Sequence, residues 1–289
     1  VRRVVSTTQE AAVEAIQEAQ SLLFVGNATT VIRYGGFTLL TDPNFLHRGQ
    51  YAYLGHGLVS RRRTEPACSV AQLPELDAVV LSHLHGDHWD RVARRGLDRG
   101  LPIVTTPHAS RRLQGWHGFR RAVGLRTWDS HTLVKDGRVL RVTATPGRHG
   151  PGRVAALLPP VMGSVLEFGD GDGAVDLRVY VSGDTLMVDE LHEIPRRFPD
   201  VDLALVHLGG TTLLRTVMVT MDGRQGADLL DLVRPAWTVP IRVDDDTVFR
   251  SPLSDFEAEL ARRGGAHRMR AVRRGDTVGL ARGERPGTT

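Results

Sequence analysis

Asp77-Ala78-Val79-Val80-Leu81-Ser82-His83-Leu84-His85-Gly86-Asp87-His88 runs from an apolar segment directly into three histidines and an aspartate. Asp77 to Leu81 reads as a buried strand, short and rich in β-branched residues. A strand that stops at such a cluster aims loop side chains at one point from a rigid element. His83 and His85, at i and i+2, fall on the same side of an extended backbone, which suits two imidazoles on one metal ion. Gly86 then relaxes the backbone, so that Asp87 and His88 turn to a second position. Borderline metals such as zinc take neutral imidazole and carboxylate oxygen, and a pair of them a few ångströms apart serves one nucleophile. Cys68 is the only cysteine, which leaves no Cys-based zinc motif and no intramolecular disulfide. Any metal is therefore held by histidines and carboxylates.

Upstream of this stretch, Thr7 to Gln20 has the period of an amphipathic helix, with Ser6 or Thr7 as its cap. Leu22–Val25, Thr30–Tyr34 and Phe37–Thr41 read as strands, the last two joined by the two-residue hairpin signal Gly35-Gly36. Asn44 to Pro74 lacks sustained periodicity and reads as a long functional loop. Downstream, helices are expected near Asp87–Arg95 and Pro107–Trp116, around a strand at Ile103–Thr105, with several strands between Gly124 and Thr145. A loop, Gly150–Gly163, leads to strands at Ser164–Phe168 and Leu177–Ser182, with Gly169–Gly173 as a hairpin tip. Helices at Met187–Arg197, Gln225–Val233 and Ser254–Arg263 alternate with strands at Leu203–His207, Trp237–Pro240 and Thr277–Leu280. Many strands in both halves with interspersed helices suggest two packed sheets with helices outside. The expectation is one domain over residues 1–289, with its core at about 20–281 and a flexible tail at 282–289.

Of the 289 residues, 41% are apolar and 24% charged, ordinary globular usage that allows a substantial core. No stretch approaches the roughly 20 apolar residues of a membrane span, and the first residues lack a signal-peptide core, so a cytoplasmic location is expected. The net charge is +4, yet Lys135 is the sole lysine and the arginines are spread along the chain. A polyanion-binding surface concentrates its charge in a patch, so nucleic acid is not the expected partner. Arg61-Arg62-Arg63 and Asp244-Asp245-Asp246 read as solvated surface runs.

The motif His83-x-His85-x-Asp87-His88 resembles that of the metallo-β-lactamase superfamily. The resemblance extends over about residues 20–281. Gly26, two hairpin strands and Thr41-Asp42-Pro43 resemble the branch that contains L-ascorbate-6-phosphate lactonases and N-acyl phosphatidylethanolamine phospholipase D. Pro146-Gly147-Arg148-His149 is similar to the segment carrying the next metal histidine, and Ser182-Gly183-Asp184-Thr185 to the strand end carrying a bridging aspartate. The resemblance implies a four-layered αββα sandwich with its active site at one edge of the paired sheets. It implies His83, His85 and His149 on a first metal, Asp87 and His88 on a second, and Asp184 between them. Asp42 and Asp90 would orient imidazoles by accepting an N–H bond. One or two zinc ions are implied, with manganese or iron as alternatives. The family's last histidine sits in a Pro-x-His setting, where this chain has Pro240-Ile241-Arg242. Arginine offers only donors and stays protonated, so it cannot ligate a metal.

Arg242 then has two readings: a fixed positive charge facing an anionic substrate group and standing in for part of a lost metal, or the mark of weakened catalysis. His207, at a strand end before Gly209-Gly210, is the second candidate, either for substrate contact or as a replacement for the missing ligand. Tyr51, Tyr53 and His56 either line a pocket or pin the long loop. The expected activity is hydrolysis of a small-molecule phosphodiester, lactone or ester by a metal-bound hydroxide, with Asp87 or Asp184 as the catalytic carboxylate. A metal-dependent nuclease and a weakly catalytic metal-binding scaffold or sensor are the alternatives.

Overall fold

The computed structural model describes residues 20–213 and 216–280. The helix expected over Thr7–Gln20 falls almost entirely outside them, as does the tail from Arg282. In chain order the strands are β1 (Ser21–Gly26), β2 (Thr29–Tyr34), β3 (Phe37–Thr41), β4 (Tyr51–Gly55), β5 (Leu58–Arg61) and β6 (Ala78–Val80). There follow α1 (Arg91–Gly96), β7 (Ile103–Thr105), α2 (Pro107–Gly115), β8 (Ala122–Gly124), β9 (Ser130–Lys135), β10 (Arg138–Thr145), β11 (Gly163–Asp170) and β12 (Val175–Val181). The last are α3 (Glu193–Arg197), β13 (Leu203–His207), β14 (Thr212–Leu213), β15 (Val217–Met218), α4 (Gly223–Val233), β16 (Trp237–Ile241), α5 (Leu253–Arg262) and β17 (Thr277–Gly279).

Alternation along the strands sorts these elements into layers. Leu22, Phe24, Ile32, Leu39, Ala78 and Val80 of one sheet share a core with Leu140, Val142, Leu166, Val179, Leu205 and Val239 of another. Their sequence neighbours Leu23, Val25, Val31, Leu40, Val79 and Leu81 face the opposite way and pack with Ala93 of α1 and Leu113 of α2. Val165, Tyr180, Ala204 and Val206 similarly face Ile194 of α3, Leu229 and Leu230 of α4 and Phe256 of α5. Period-2 strands buried on both faces give two sheets with helices outside, the αββα sandwich.

The first sheet has the order β17-β1-β2-β3-β6-β7-β8 and the second β16-β13-β12-β11-β10-β9. Hairpins make one part of each sheet antiparallel, while β3-β6-β7-β8 and β12-β13-β16 are parallel. Parallel neighbours end on the same edge, and the chain leaves β3, β6, β12, β13 and β16 there with Asp42, Ser82, Ser182, Leu208 and Arg242. Loops outside the carboxyl ends of parallel strands are the usual place for a site in such sheets. Pro240 is tolerated in β16 because that strand lies at the sheet edge.

Gly35 and Gly36 both have positive φ, and Tyr34 pairs with Phe37, so the expected two-residue turn forms between β2 and β3. The stretch expected as loop, Asn44–Pro74, instead contains the β4–β5 hairpin, turned at His56 (φ 49°) and Gly57 (φ 78°). Two strands of five and four residues, paired only with each other, leave too short an alternation to register in sequence. The helix expected from Asp87 begins at Arg91, because Asp90 caps it by accepting from Val92 N and Ala93 N at 2.7 Å each.

The two charge runs read as solvated are also corrected. Arg62, Asp245 and Asp246 are buried, with Arg62 3.3 Å from Asp245 and 3.5 Å from Asp246. Asp245 further accepts from Asn27 N at 2.7 Å and from Thr64, and Asp246 accepts from Ser60 at 2.9 Å. This buried cluster fastens the β4–β5 hairpin to the loop after β16. Asp244 pairs with Arg274. Among the described residues no helix is long and apolar enough to cross a membrane.

Candidate metal centre

Ser82 and the motif that follows leave the end of β6 as an irregular turn. Its tightness depends on Gly86, whose N–H donates to the Tyr53 carbonyl at 2.9 Å; a Cβ there would stand 2.5 Å from that oxygen. Only glycine lets the β4–β5 hairpin sit so close over the motif. From the other sheet, the loop after β10 brings His149 and the loop after β12 brings Asp184. His83, His85, His149, Asp87, His88 and Asp184 are all buried at this junction.

Three imidazole nitrogens converge. His83 Nε2 lies 3.0 Å from His85 Nδ1, and His149 Nε2 lies 3.3 Å from the same atom. The far nitrogens of two rings are engaged: His149 Nδ1–H donates to the Val219 carbonyl at 2.8 Å, and His83 Nδ1 faces Ser82 Oγ at 3.0 Å. With the protons assigned there, both Nε2 atoms present bare lone pairs to the shared point. Burial pushes all three pKa values down, His83 well below the usual range and His85 to about 3, so the rings stay neutral. Ligands at 2.0–2.1 Å from a tetrahedral zinc stand about 3.3–3.4 Å apart, close to the separations seen. Asp184 lies beside this triad: His83, His88 and Asp184 offer ligand atoms within 4.8 Å of one another. Asp87 Oδ1 and Asp184 Oδ1 are buried without a hydrogen-bond partner. Lone pairs without partners, three neutral nitrogens and a carboxylate fit a divalent transition metal at this first position.

The second position is filled by Arg242. Its Nη2 lies 2.5 Å from Asp87 Oδ2 and 2.9 Å from Asp184 Oδ2, and its Nε lies 3.1 Å from His88 Nε2. Its Nη1 donates to Thr211 Oγ1 at 2.9 Å, and the guanidinium lies 4.7 Å from the Phe249 ring centroid. Burial alone would raise the pKa values of Asp87 and Asp184, but Arg242 and then His88 outweigh it and lower both. Arg242 has φ 61°, the left-handed region, and its backbone N–H donates to Asn27 O at 2.9 Å. Such a conformation in a non-glycine residue costs roughly 1–3 kcal/mol and is kept only where surrounding contacts impose it.

Arg242, expected to face substrate, is 2% exposed and turns its nitrogens to Asp87, Asp184, His88 and Thr211. His207, the other candidate for substrate contact, is also corrected. It is fully buried and stacked on His88, with Nε2 3.1 Å from Asp42 Oδ2 and its backbone N–H donating to Ser182 Oγ at 2.9 Å. Asp90 does not orient an imidazole either; its carboxylate is used by the helix cap and by Phe45 N at 2.6 Å. Asp42 does reach imidazoles, with Oδ2 3.2 Å from His88 Nδ1 and 3.1 Å from His207 Nε2. It also accepts from Ser82 N and Oγ, which links it through Ser82 to His83. Burial works against its charge, yet His88 and His207 bring its pKa down to about 2.

Opposing influences meet on His88. Burial disfavours protonation, while Asp184, Asp87 and Asp42 favour it and hold the pKa up at about 10. A proton on Nε2 would face the Arg242 Nε–H donor to donor at 3.1 Å. That contact works against a second ring proton, while Asp42 Oδ2 accepts from Nδ1–H. Thr211, Thr220, Ser82, Ser182 and Asn27 also shape the site without a signal in the sequence. Thr220 Oγ1 donates to Asp184 at 3.2 Å and Asn27 Nδ2 to Asp87 O at 2.7 Å. Small hydroxyl and amide residues in irregular segments carry no periodicity, and only Gly26-Asn27, as a turn pair, stands out.

The model of the beta-lactamase superfamily domain matches residues 38–241. A UPF0173 metal-dependent hydrolase of Deinococcus radiodurans is 29% identical over 206 residues, covering 69% of this chain and 81% of the relative. The solved structure of a possible metal-dependent hydrolase from Veillonella parvula superposes with a TM-score of 0.75 at 22% identity, covering 91% of this chain and all of that one. An isothiocyanate hydrolase from Delia radicum gut bacteria gives 0.75 at 21% identity, covering 90% and 99%. With the matched span reaching from β3 through the last residue of β16, the chain belongs to the beta-lactamase superfamily, as a metal-dependent hydrolase of the metallo-β-lactamase fold.

Proposed function

We propose that this hydrolase attacks an activated carbonyl, an ester or lactone of a small molecule, with a single zinc ion held by His83, His85, His149 and Asp184. The observation that carries the reading is the convergence of His83 Nε2, His85 Nδ1 and His149 Nε2 within 3.0–3.3 Å. When bound, the ion supplies Lewis acidity and makes a water molecule acidic enough to attack at neutral pH. Asp87 Oδ1, buried and without a hydrogen-bond partner, is the acceptor that would hold that water by a proton, while Asp184 Oδ1 faces the ion. Arg242 keeps both carboxylates ionised for these roles. Asp42 and Ser82 fix the His83 ring, and the Val219 carbonyl fixes His149.

A carbonyl centre develops charge on one oxygen, which one cation serves. An in-line phosphodiester displacement is commonly served by two metal ions clamping the attacking and leaving oxygens. The carboxylate oxygens that a second ion would need are engaged by Arg242. This ranks ester and lactone substrates ahead of phosphodiesters.

The test is turnover by the zinc-loaded protein on a panel of p-nitrophenyl esters, aliphatic lactones, bis-p-nitrophenyl phosphate and RNA, with His85→Ala and chelator controls. Ester or lactone hydrolysis that disappears in both controls supports the proposal. Turnover confined to the phosphodiester or to RNA would overturn it, as would metal-loaded protein that hydrolyses nothing in the panel.

A further inference from the structure

The three groups that would make a second metal position, Asp87, His88 and Asp184, do not fit an ion in this chain. Each already gives its inward atom to one guanidinium: Asp87 Oδ2 and Asp184 Oδ2 to Nη2, at 2.5 and 2.9 Å, and His88 Nε2 to Nε, at 3.1 Å. Metal–oxygen and metal–nitrogen bonds are about 2.0–2.2 Å, so an ion using these atoms would stand where the guanidinium stands. We infer that Arg242 is a built-in replacement for the second metal ion, which makes the centre mononuclear by construction.

Three features hold the replacement in place. Arginine does not give up its proton, so it cannot convert to a ligand and let an ion in. Its side chain is clamped from outside the metal residues by Thr211 Oγ1 at 2.9 Å and by Phe249 at 4.7 Å from the ring centroid. Its backbone is clamped by the Asn27 carbonyl at 2.9 Å, and Asn27 in turn holds the Asp87 carbonyl at 2.7 Å. Swinging the side chain away would take the cation from two buried carboxylates, leaving Asp184 Oδ2 only Thr220 Oγ1 and His88 as neighbours.

The charge and geometry are complementary. Two buried carboxylates meet at this position, and one nitrogen, Nη2, reaches both, donating to Asp87 Oδ2 and pairing with Asp184 Oδ2. The guanidinium contributes one permanent positive charge that does not depend on metal supply and cannot bind or activate water. Asp184 is thereby divided: Oδ2 belongs to Arg242, while Oδ1 stays unpartnered for the first position. Arg242 is thus a positioning residue, acting through Asp87 and Asp184.

The inference rests on the reading that His83, His85 and His149 hold an ion, and metal counting separates the two. Wild-type protein saturated with Zn²⁺ and desalted should contain one equivalent by elemental analysis. Titrated with Mn²⁺, it should show the isolated six-line electron paramagnetic resonance signal at every loading. Arg242→His should take up a second equivalent, with exchange-coupled Mn²⁺ signals at saturation. Two equivalents or a coupled signal in wild type would overturn the inference and leave the metal centre standing. Folded Arg242→His that stays at one equivalent would also overturn it, since the guanidinium would not be what excludes the ion. No metal in wild type would remove the centre itself and the inference with it. Should Arg242→His fail to fold, the wild-type count and spectrum decide alone.

Discussion

Arg242→Leu removes a buried cation from between two buried carboxylates, and its effect on stability can be worked out from the contacts. The substitution takes the guanidinium from Asp87 Oδ2, Asp184 Oδ2, His88 Nε2 and Thr211 Oγ1 at once, leaving Asp184 Oδ2 the Thr220 hydroxyl and His88. Breaking a buried ion pair by removing one partner costs about 3–5 kcal/mol. Two acids lose their counterion here, which argues for the top of that range. The loss is capped because one acid can take up a proton, as close carboxylate pairs do. We expect about 5 kcal/mol in metal-free protein at pH 7.5, a Tm lower by roughly 10 °C or more.

The pH dependence gives the sharper check. In wild type both pKa values lie below the ordinary carboxylate value, so the stabilisation is present above about pH 4 and is lost only as pH falls through the folded values. In Arg242→Leu the same acids, buried and facing one another, move above the ordinary value, so they cost stability at neutral pH and cost less as acid protonates them. The gap between the two proteins should therefore narrow between pH 7.5 and 5. Urea unfolding in the presence of chelator, followed by circular dichroism at both pH values, measures it. A gap under about 1 kcal/mol at pH 7.5, or one that widens on acidification, would refute the reasoning.

Three other outcomes are expected. Asp42→Asn places an amide donor against His88 Nδ1–H or His207, and loosens the Ser82–His83 link; zinc affinity should fall about 10–100-fold in a chelator competition, and a change within twofold would count against the link. Gly86→Ala drives a methyl group into the Tyr53 backbone, so stability should drop by about 1–3 kcal/mol and trypsin should cut after Arg61 several times faster; an unchanged cleavage rate would show the hairpin is not seated by this contact. His83, His85 and His149 stay neutral when folded, whereas in the unfolded chain they titrate near 6.5. Below that pH the unfolded state takes up protons that the folded state refuses, so the metal-free protein should lose up to about 1.4 kcal/mol per pH unit for each ring. A flat stability profile from pH 7 to 5 would contradict their burial as neutral rings.

The sequence carried the layered fold because its signals are periodic. Leu22 to Val25 and Ala78 to Leu81 alternate between two buried faces, and Gly35-Gly36 marks its own turn. The candidate metal histidines were legible because they are dense and sit at a strand end. What stayed hidden is pairing across long separations. Arg62 and Asp245, 183 positions apart by number, each look like part of a solvated run, and only the fold buries them together. Asp90 looks like a partner for an imidazole because it follows the motif by two residues, yet a helix start claims its oxygens first. Arg242 was visible as a departure from a histidine, but sequence cannot say which way a side chain turns. Its positive φ and the Asn27 carbonyl send it inward, to the carboxylates, and away from a substrate.

The nitrogens that converge at the first metal position come from both halves of the sandwich. His83 and His85 hang from the first sheet, and His149 and Asp184 from the second. Neither sheet alone supplies the whole ligand set, so the full site forms only when the two have docked, after the slow pairing of segments far apart in sequence. The ion then closes the last seam to form. Metal release should act there first, as a faster opening of one sheet from the other along that edge, seen as amide exchange in the loops after β6, β10 and β12 before the outer helices loosen.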